Sequence, residues 1–253
     1  MKRRNSRRLS TNRICGTGLC YFTIQIMGDS EWVTVFQRFP EGRVPLTRSI
    51  GIFVHDWAHP ANGHPRMFDR DALEFLTSAN PRVVAGVYVA LAASMFGLSI
   101  WSGLHAAAIG ALAIAGAAGW TLTEYVMHRF AFHFVPRSRF GVALAYLSHG
   151  VHHAYPRDPD RLVIPLIVSV PTSVALFAAG WLIAGRFAWP FLGGFALGYL
   201  SYDLIHYHIH QHDPARGVFK WLRQYHFQHH FSVPDRQFGV SSPVWDYVFR
   251  SGR

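Results

Sequence analysis

Ten of the sixteen histidines in this 253-residue chain fall into a pattern that is written twice. Its tight form is His149, His152, His153, repeated as His226, His229, His230. A looser pair precedes each: His128 and His133 before the first, His206 and His210 before the second. On a helix, positions i, i+3 and i+4 share a face, so each tight triplet can project its rings together, as can His206 and His210. His128 and His133 are five apart and need a bend or loose turn to converge. Ten imidazoles are too many for one ion and exceed the four ligands of a closed zinc site. They suit two metals with about five nitrogens each, held between membrane-helix ends and a helical cap. Zinc, copper, iron and nickel all accept imidazole, so ligand type leaves the metal open. An iron pair can bind O2 and oxidise C–H bonds, which zinc, without redox chemistry, cannot do.

Two acids accompany the pattern. Glu124 lies one helical turn before His128, and Asp203 three residues before His206. A carboxylate inside a membrane helix costs about 3 kcal/mol, which predicts that each accepts a hydrogen bond from a ligand imidazole and fixes its tautomer. Snorkelling, or a pair with Arg129, is the alternative. The remaining histidines carry less. His55, His59 and His64 are spaced through Pro60 and Pro65 and fit no helix face; His105 stands alone; His208 and His212 flank the second pair and are stand-ins for a neighbour. Cys15 and Cys20 are remote from all of them and imply neither a disulfide framework nor a cysteine zinc site.

The elements that must position these side chains are apolar. The chain is 50% hydrophobic and only 15% charged, against about 25% charged for a soluble domain. Four stretches, 83–100, 104–126, 162–184 and 187–205, approach the ~20 residues a helix needs to cross a bilayer. They read as two hairpins, with Pro165, Pro171 and Pro190 expected to kink the second and the Gly and Ala of 104–126 expected to allow close packing. If all four span, both termini and all ten motif histidines share one side. Twelve Lys and Arg fall in 1–82, five in 127–161 and six after 205, leaving Arg186 alone on the other side. By the positive-inside tendency the shared side is cytoplasmic. The net charge of +10 then reflects topology and anionic headgroups rather than nucleic acid. Residues 1–82 read as a cytoplasmic or interfacial extension and 83–253 as the membrane domain. The basic start is a poor signal peptide, and Met27 is an alternative initiation site that would make 1–26 a start-site artefact.

The ordered set of motifs resembles the fatty acid hydroxylase superfamily of histidine-box membrane oxygenases, and within it the sphingolipid fatty acid 2-hydroxylases. The resemblance runs from Glu124-Tyr125 through His128-Arg129, Phe132-His133 and His149-Gly150-Val151-His152-His153. It continues through Tyr202-Asp203-Leu204-Ile205-His206-Tyr207, His210 and Tyr225-His226-Phe227-Gln228-His229-His230 to the tail Phe238–Phe249, covering roughly 80–250.

What it implies is an all-α integral membrane enzyme with four transmembrane helices and a cytoplasmic helical cap. A dinuclear metal site would be held by the ten box histidines: two iron ions, replaceable by zinc in isolated protein. The implied reaction is O2-dependent hydroxylation at carbon 2 of a long-chain acyl lipid. Its implied setting is the cell membrane of a bacterium or the endoplasmic reticulum of a eukaryote. Trp245 and Tyr247 would shape a headgroup entrance or pack in the cap. The chain departs from the eukaryotic pattern in lacking a haem signature, since His59-Pro60-Ala61-Asn62 does not match one. The electron donor is therefore expected to be a separate cytochrome b5- or ferredoxin-like protein. Gln211 stands where the family often has another histidine and is expected to retune the substrate cavity. Competing readings are a sterol, carotenoid or alkyl-lipid oxygenase of the same superfamily, and a membrane metal-binding or transport protein.

Overall fold

The computed structural model describes residues 63–252 apart from 65, 69 and 135–138, together with the backbone of short strands nearer the N-terminus. Those strands are β1 (Ser10–Gly16) paired antiparallel with β2 (Leu19–Gln25), β3 (Trp32–Val33) beside β2, and β4 (Val44–Pro45) paired with β5 (Phe53–Val54). From residue 71 onward every regular element is helical. The side chains of Cys15, Cys20, His55 and His59, and the expected start at Met27, lie outside the described residues.

After the short α1 (Asp71–Thr77), α2 (Pro81–Trp101) begins at Asn80, whose side chain accepts from the Arg82 amide, with Pro81 at the first helical position. Its missing N–H costs nothing there. A tight turn leads into α3 (Ala106–Val126), which is capped by His105 and runs on as a π-helix over Met127–Phe132. Next come α4 (Arg139–Ala145), a second π-turn over Tyr146–Gly150, and α5 (Val151–Ala154). Helices α6 (Leu166–Ala184) and α7 (Ala188–Gln211) are joined through Gly185–Phe187, where Gly185 at φ 54° turns the chain in a region a side chain would resist. Helices α8 (Gly217–Phe231) and α9 (Val244–Val248) complete the chain.

Among the described residues, three apolar helical stretches are long enough to cross a membrane: Pro81–Trp101, Ala106–Phe132 and Pro159–Gln211, the last holding both α6 and α7. Large apolar side chains face outward along them, among them Trp101, Ile114, Leu182 and Ile183. Water would not tolerate so much contiguous apolar surface. This is a membrane protein.

Helix α7 is central, packed along both α2 and α3. The seam with α3 is built on missing side chains. A Cβ on Gly194 would lie 1.9 Å from the Ala113 carbonyl oxygen, and one on Gly116 would lie 1.9 Å from that of Phe191. Backbone therefore meets backbone, the contact that drives helix association where lipid removes the hydrophobic incentive. Of the three expected proline kinks, only Pro171 is inside a helix. Pro165 precedes α6 and Pro190 sits in the first turn of α7, where no helical hydrogen bond is lost.

Candidate metal centre

The two π-helical segments bring the histidines into register. Between His128 and His133 the His133 amide donates to the His128 carbonyl at 3.2 Å, closing an i→i+5 turn that stacks residues five apart on one face. This is the loose turn the spacing requires. The C-terminal end of α7 carries His206 and His210, and α8 carries the last triplet.

All ten motif histidines converge, in two nests of five. His128, His133, His149, His153 and His229 form the first; His152, His206, His210, His226 and His230 form the second. Within each nest one nitrogen per ring lies within 4.8 Å of all the others. Each triplet is divided: its i, i+4 pair enters one nest and its middle member the other. A triplet thus does not serve one centre, as shared helical facing suggests, because the two nests abut. The rings of His153 and His230 stack across the boundary at 4.1 Å.

In the first nest the Nε2 atoms run His153 to His149 at 2.9 Å, His149 to His128 at 3.0 Å, His128 to His133 at 3.3 Å and His133 to His229 at 3.1 Å. In the second, His206 Nε2 is 2.9 Å from that of His152 and 3.1 Å from that of His226, which is 2.9 Å from that of His230. Several rings have their protons committed elsewhere. His128 Nδ1 donates to the Phe238 carbonyl at 2.5 Å, His229 Nδ1 to that of Arg236 at 2.6 Å and His206 Nδ1 to that of Leu162 at 3.1 Å. Their Nε2 atoms therefore present lone pairs inward. Lone pairs about 3 Å apart repel unless a cation sits between them, and ligands held ~2.1 Å from a metal at right angles are separated by that distance. The donor set fits a metal ion in each nest. Burial, reinforced by neighbouring imidazoles, pushes the basicity of His149, His152, His153, His226 and His230 well below the ordinary histidine value, so the rings are neutral and ready to ligate.

The acids act one step further away than the sequence suggests. Glu124 touches no imidazole. It accepts from the Val240 and Ser241 amides at 2.7 and 2.8 Å and from the Ser241 hydroxyl, pinning the loop whose Phe238 carbonyl holds His128. Asp203 accepts from the Ile164 amide at 3.4 Å, two residues beyond the Leu162 carbonyl that holds His206. In place of the expected direct bonds, each acid bonds the segment that supplies the carbonyl to which the ring donates. Arg129 does not pair with Glu124 either; it donates to the Tyr125 hydroxyl at 2.5 Å.

Sequence reasoning missed Asp246 altogether. It is fully buried and accepts from the Phe238 and Gly239 amides at 2.9 and 2.7 Å and from the Ser251 hydroxyl at 2.8 Å. The available signal was a carboxylate inside the apolar Val244–Val248 run, which has to find partners when buried.

His208 and His212 contact each other, with ring centroids 4.7 Å apart, and join neither nest. His105 caps α3. His64 meets Asp158 at 2.8 Å while remaining largely exposed. Gln211 donates to the Arg157 carbonyl at 2.9 Å and does not line the cavity. Neither do Trp245, which donates to Thr121 at 3.0 Å, and Tyr247, which is exposed.

Beside the nests lies a cavity of about 600 Å³, within the range of ligand-binding pockets. His149 of the first nest and His152 and His206 of the second form part of its wall. From there it runs between α2, α3, α6 and α7 along Leu91, Met95, Phe177, Leu192, Phe195 and Ala196. The wall of the cavity thus joins an apolar run between the helices to histidines of both nests.

Residues 113–251 match the family model for fatty acid hydroxylases. Two dihydroceramide fatty acyl 2-hydroxylases of Arabidopsis thaliana are similar: one 37% identical over 79% of this chain and 86% of its own length, the other 36% identical over 81% and 90%. The fatty acid 2-hydroxylase of Mus musculus is 36% identical over 55% of this chain and 39% of its own. Among solved structures, full-length Scs7p, of which only the hydroxylase domain is visible, aligns with a TM-score of 0.72 and 29% identity over 78% of this chain and 76% of that one.

Proposed function

We infer the reaction of this chain from the premise that it belongs to the fatty acid hydroxylase family, and is accordingly an oxidoreductase. We propose that it hydroxylates carbon 2 of a long-chain fatty acyl group in lipid biosynthesis. The balance is one C–H bond, O2, two electrons and two protons giving one C–OH and water. The observation that carries the reading is the apolar cavity whose wall includes histidines of both nests.

The ten histidines are the metal ligands in this proposal. Two iron ions, when bound, supply the redox chemistry that turns O2 on a C–H bond. The protein does the rest. Carbonyls of Leu162, Arg236 and Phe238 aim the Nε2 atoms of His206, His229 and His128 inward and raise their basicity. The cavity holds the alkyl chain so that its functional end faces His149, His152 and His206, replacing a random encounter by a fixed approach and excluding water. Zinc in the same nests would leave the enzyme folded and inert.

For topology we propose four crossings, α6 and α7 forming the second hairpin, with the nests, both termini and the α8 and α9 cap on the cytoplasmic side. The asymmetry of Lys and Arg supports this orientation. Electrons come from a separate carrier protein. Expression in a host lacking 2-hydroxylated lipids, followed by lipid mass spectrometry, tests the function. One added oxygen at the carbon next to the carbonyl is expected; oxygen on a sterol or carotenoid ring, or none, refutes it.

A further inference from the structure

Hydroxylation consumes two electrons that the reacting C–H bond and O2 do not supply, so they have to cross the protein surface. This inference rests on the hydroxylase reading above. A surface adjoining the second nest is the outer stripe of α8. Phe227, half-buried, lies on that stripe with Lys220 seven residues and Arg223 four residues before it, spacings that fall on one helix face. The Arg223 guanidinium sits over the Phe227 ring at 4.1 Å, and the ring's inner side is 5.2 Å from His210 and 6.4 Å from His230. One aromatic ring thus bridges the cationic rim and two histidines of a single nest.

The rim is basic. Arg216 and Lys220 are exposed, and so is Arg157, whose carbonyl is tied to Gln211 at the end of α7. Arg223 donates to the His212 carbonyl at 3.2 Å and lies 3.6 Å from Asp213, an acid that offsets one of these charges. Of the exposed apolar residues of α8, Val218 and Trp221 lie on its other flank, whereas Phe219 adjoins the stripe and Phe231 extends it beyond Phe227, with ring centroids 5.5 Å apart. Cations around an aromatic bridge suit an acidic protein better than an apolar one.

We propose that this stripe of α8, rimmed by Arg157, Arg216, Lys220 and Arg223, is the docking surface of an acidic one-electron carrier protein, and that Phe227 carries its electrons to the second nest. Two reduced carriers are each oxidised by one electron per turnover, and O2 with two protons becomes water and the substrate hydroxyl.

The test uses the full-length, iron-loaded enzyme in lipid nanodiscs and the soluble haem domain of cytochrome b5 as the probe. Binding is read by interferometry, and oxidation of the reduced haem by stopped-flow absorbance in the presence of O2 and substrate. Arg216→Glu combined with Lys220→Glu should weaken binding about tenfold at low salt, and the difference should collapse at high salt as screening takes over. Product formed in a single turnover, when O2 and substrate are added to enzyme already reduced by dithionite and freed of the excess, should be unchanged. Phe227→Leu should leave binding intact and slow haem oxidation, with Phe227→Tyr restoring it.

Equal affinity of the charge-reversed and original proteins overturns the docking surface. Undiminished haem oxidation by Phe227→Leu overturns the path. Loss of contact with anionic lipid, in discs where carrier binding is unaffected, assigns the rim to headgroups and overturns the proposal. A wild-type enzyme inert with dithionite and carrier alike would instead sink the hydroxylase reading.

Discussion

Asp246→Asn should weaken one metal nest and spare the other. The carboxylate accepts from the Phe238 amide and the Ser251 hydroxyl on Oδ1 and from the Gly239 amide on Oδ2. An asparagine offers one acceptor oxygen and one donor nitrogen. However it turns, one backbone N–H faces an NH2 group and is orphaned, at about 1–3 kcal/mol. That penalty falls on the Phe238 backbone, whose carbonyl orients His128, and on the neighbourhood of Arg236, whose carbonyl orients His229. Both rings belong to the first nest. At 1.4 kcal/mol per factor of ten, the loss corresponds to roughly 5- to 150-fold in affinity, which brackets the 10- to 100-fold typical of groups that orient metal ligands. The second nest is held through Leu162 and the Asp203 loop and should be unaffected. Cobalt titration of detergent-purified protein against a competing chelator, with metal content by mass spectrometry, resolves the two sites. One weakened and one intact site is expected. Equal loss from both sites, or none from either, would refute the division of labour between the loops.

Three further outcomes follow from the geometry. Gly194→Ala places a methyl against the Ala113 carbonyl and should lower the melting temperature sharply, overpacking costing about 1–3 kcal/mol or more; Gly97→Ala, with nothing within 4 Å, should not, and equal melting curves would contradict the close seam. Ala196→Phe narrows the cavity and should shift the hydroxylated products toward shorter acyl chains, while an unchanged chain-length profile would place the substrate elsewhere. Because the buried imidazoles of His149, His152, His153, His226 and His230 have folded-state values well below the free one of about 6.5, the unfolded chain binds more protons in acid. Their contribution to stability is therefore complete above that pH and lost as pH falls towards the depressed values, with metal release in step; a pH-independent melting temperature between about 7 and 5 would contradict this.

The histidines were readable because a ten-ring pattern repeated after two apolar hairpins has few meanings, and the apolar stretches because lipid demands length and little else. Which ring joins which nest was not. That depends on π-turns at Met127–Phe132 and Tyr146–Gly150, which have no residue signature comparable to a proline or a cap. The work of Glu124 was misread for a related reason: its spacing from His128 is local, whereas its partners at 240 and 241 lie over a hundred residues away. Asp246 escaped notice because its partners, the amides of Phe238 and Gly239 and the hydroxyl of Ser251, include no other charged or metal-binding side chain and so form no recognisable motif. Proline position, by contrast, was legible in principle, since Pro165 and Pro190 fall at helix starts where the residue is at home.

The seam between Gly116 and Gly194 governs more than helix association. One nest hangs partly from the end of α3 and the other partly from the end of α7, and along this seam the two helices touch main chain to main chain. No rotamer lies at those contacts to relax, so the spacing of the two nests is inherited from peptide geometry and is insulated from side-chain fluctuation. A change in bilayer thickness then has to be absorbed elsewhere, and α6, which carries Pro171 within its length and lines the cavity, lies outside that main-chain seam.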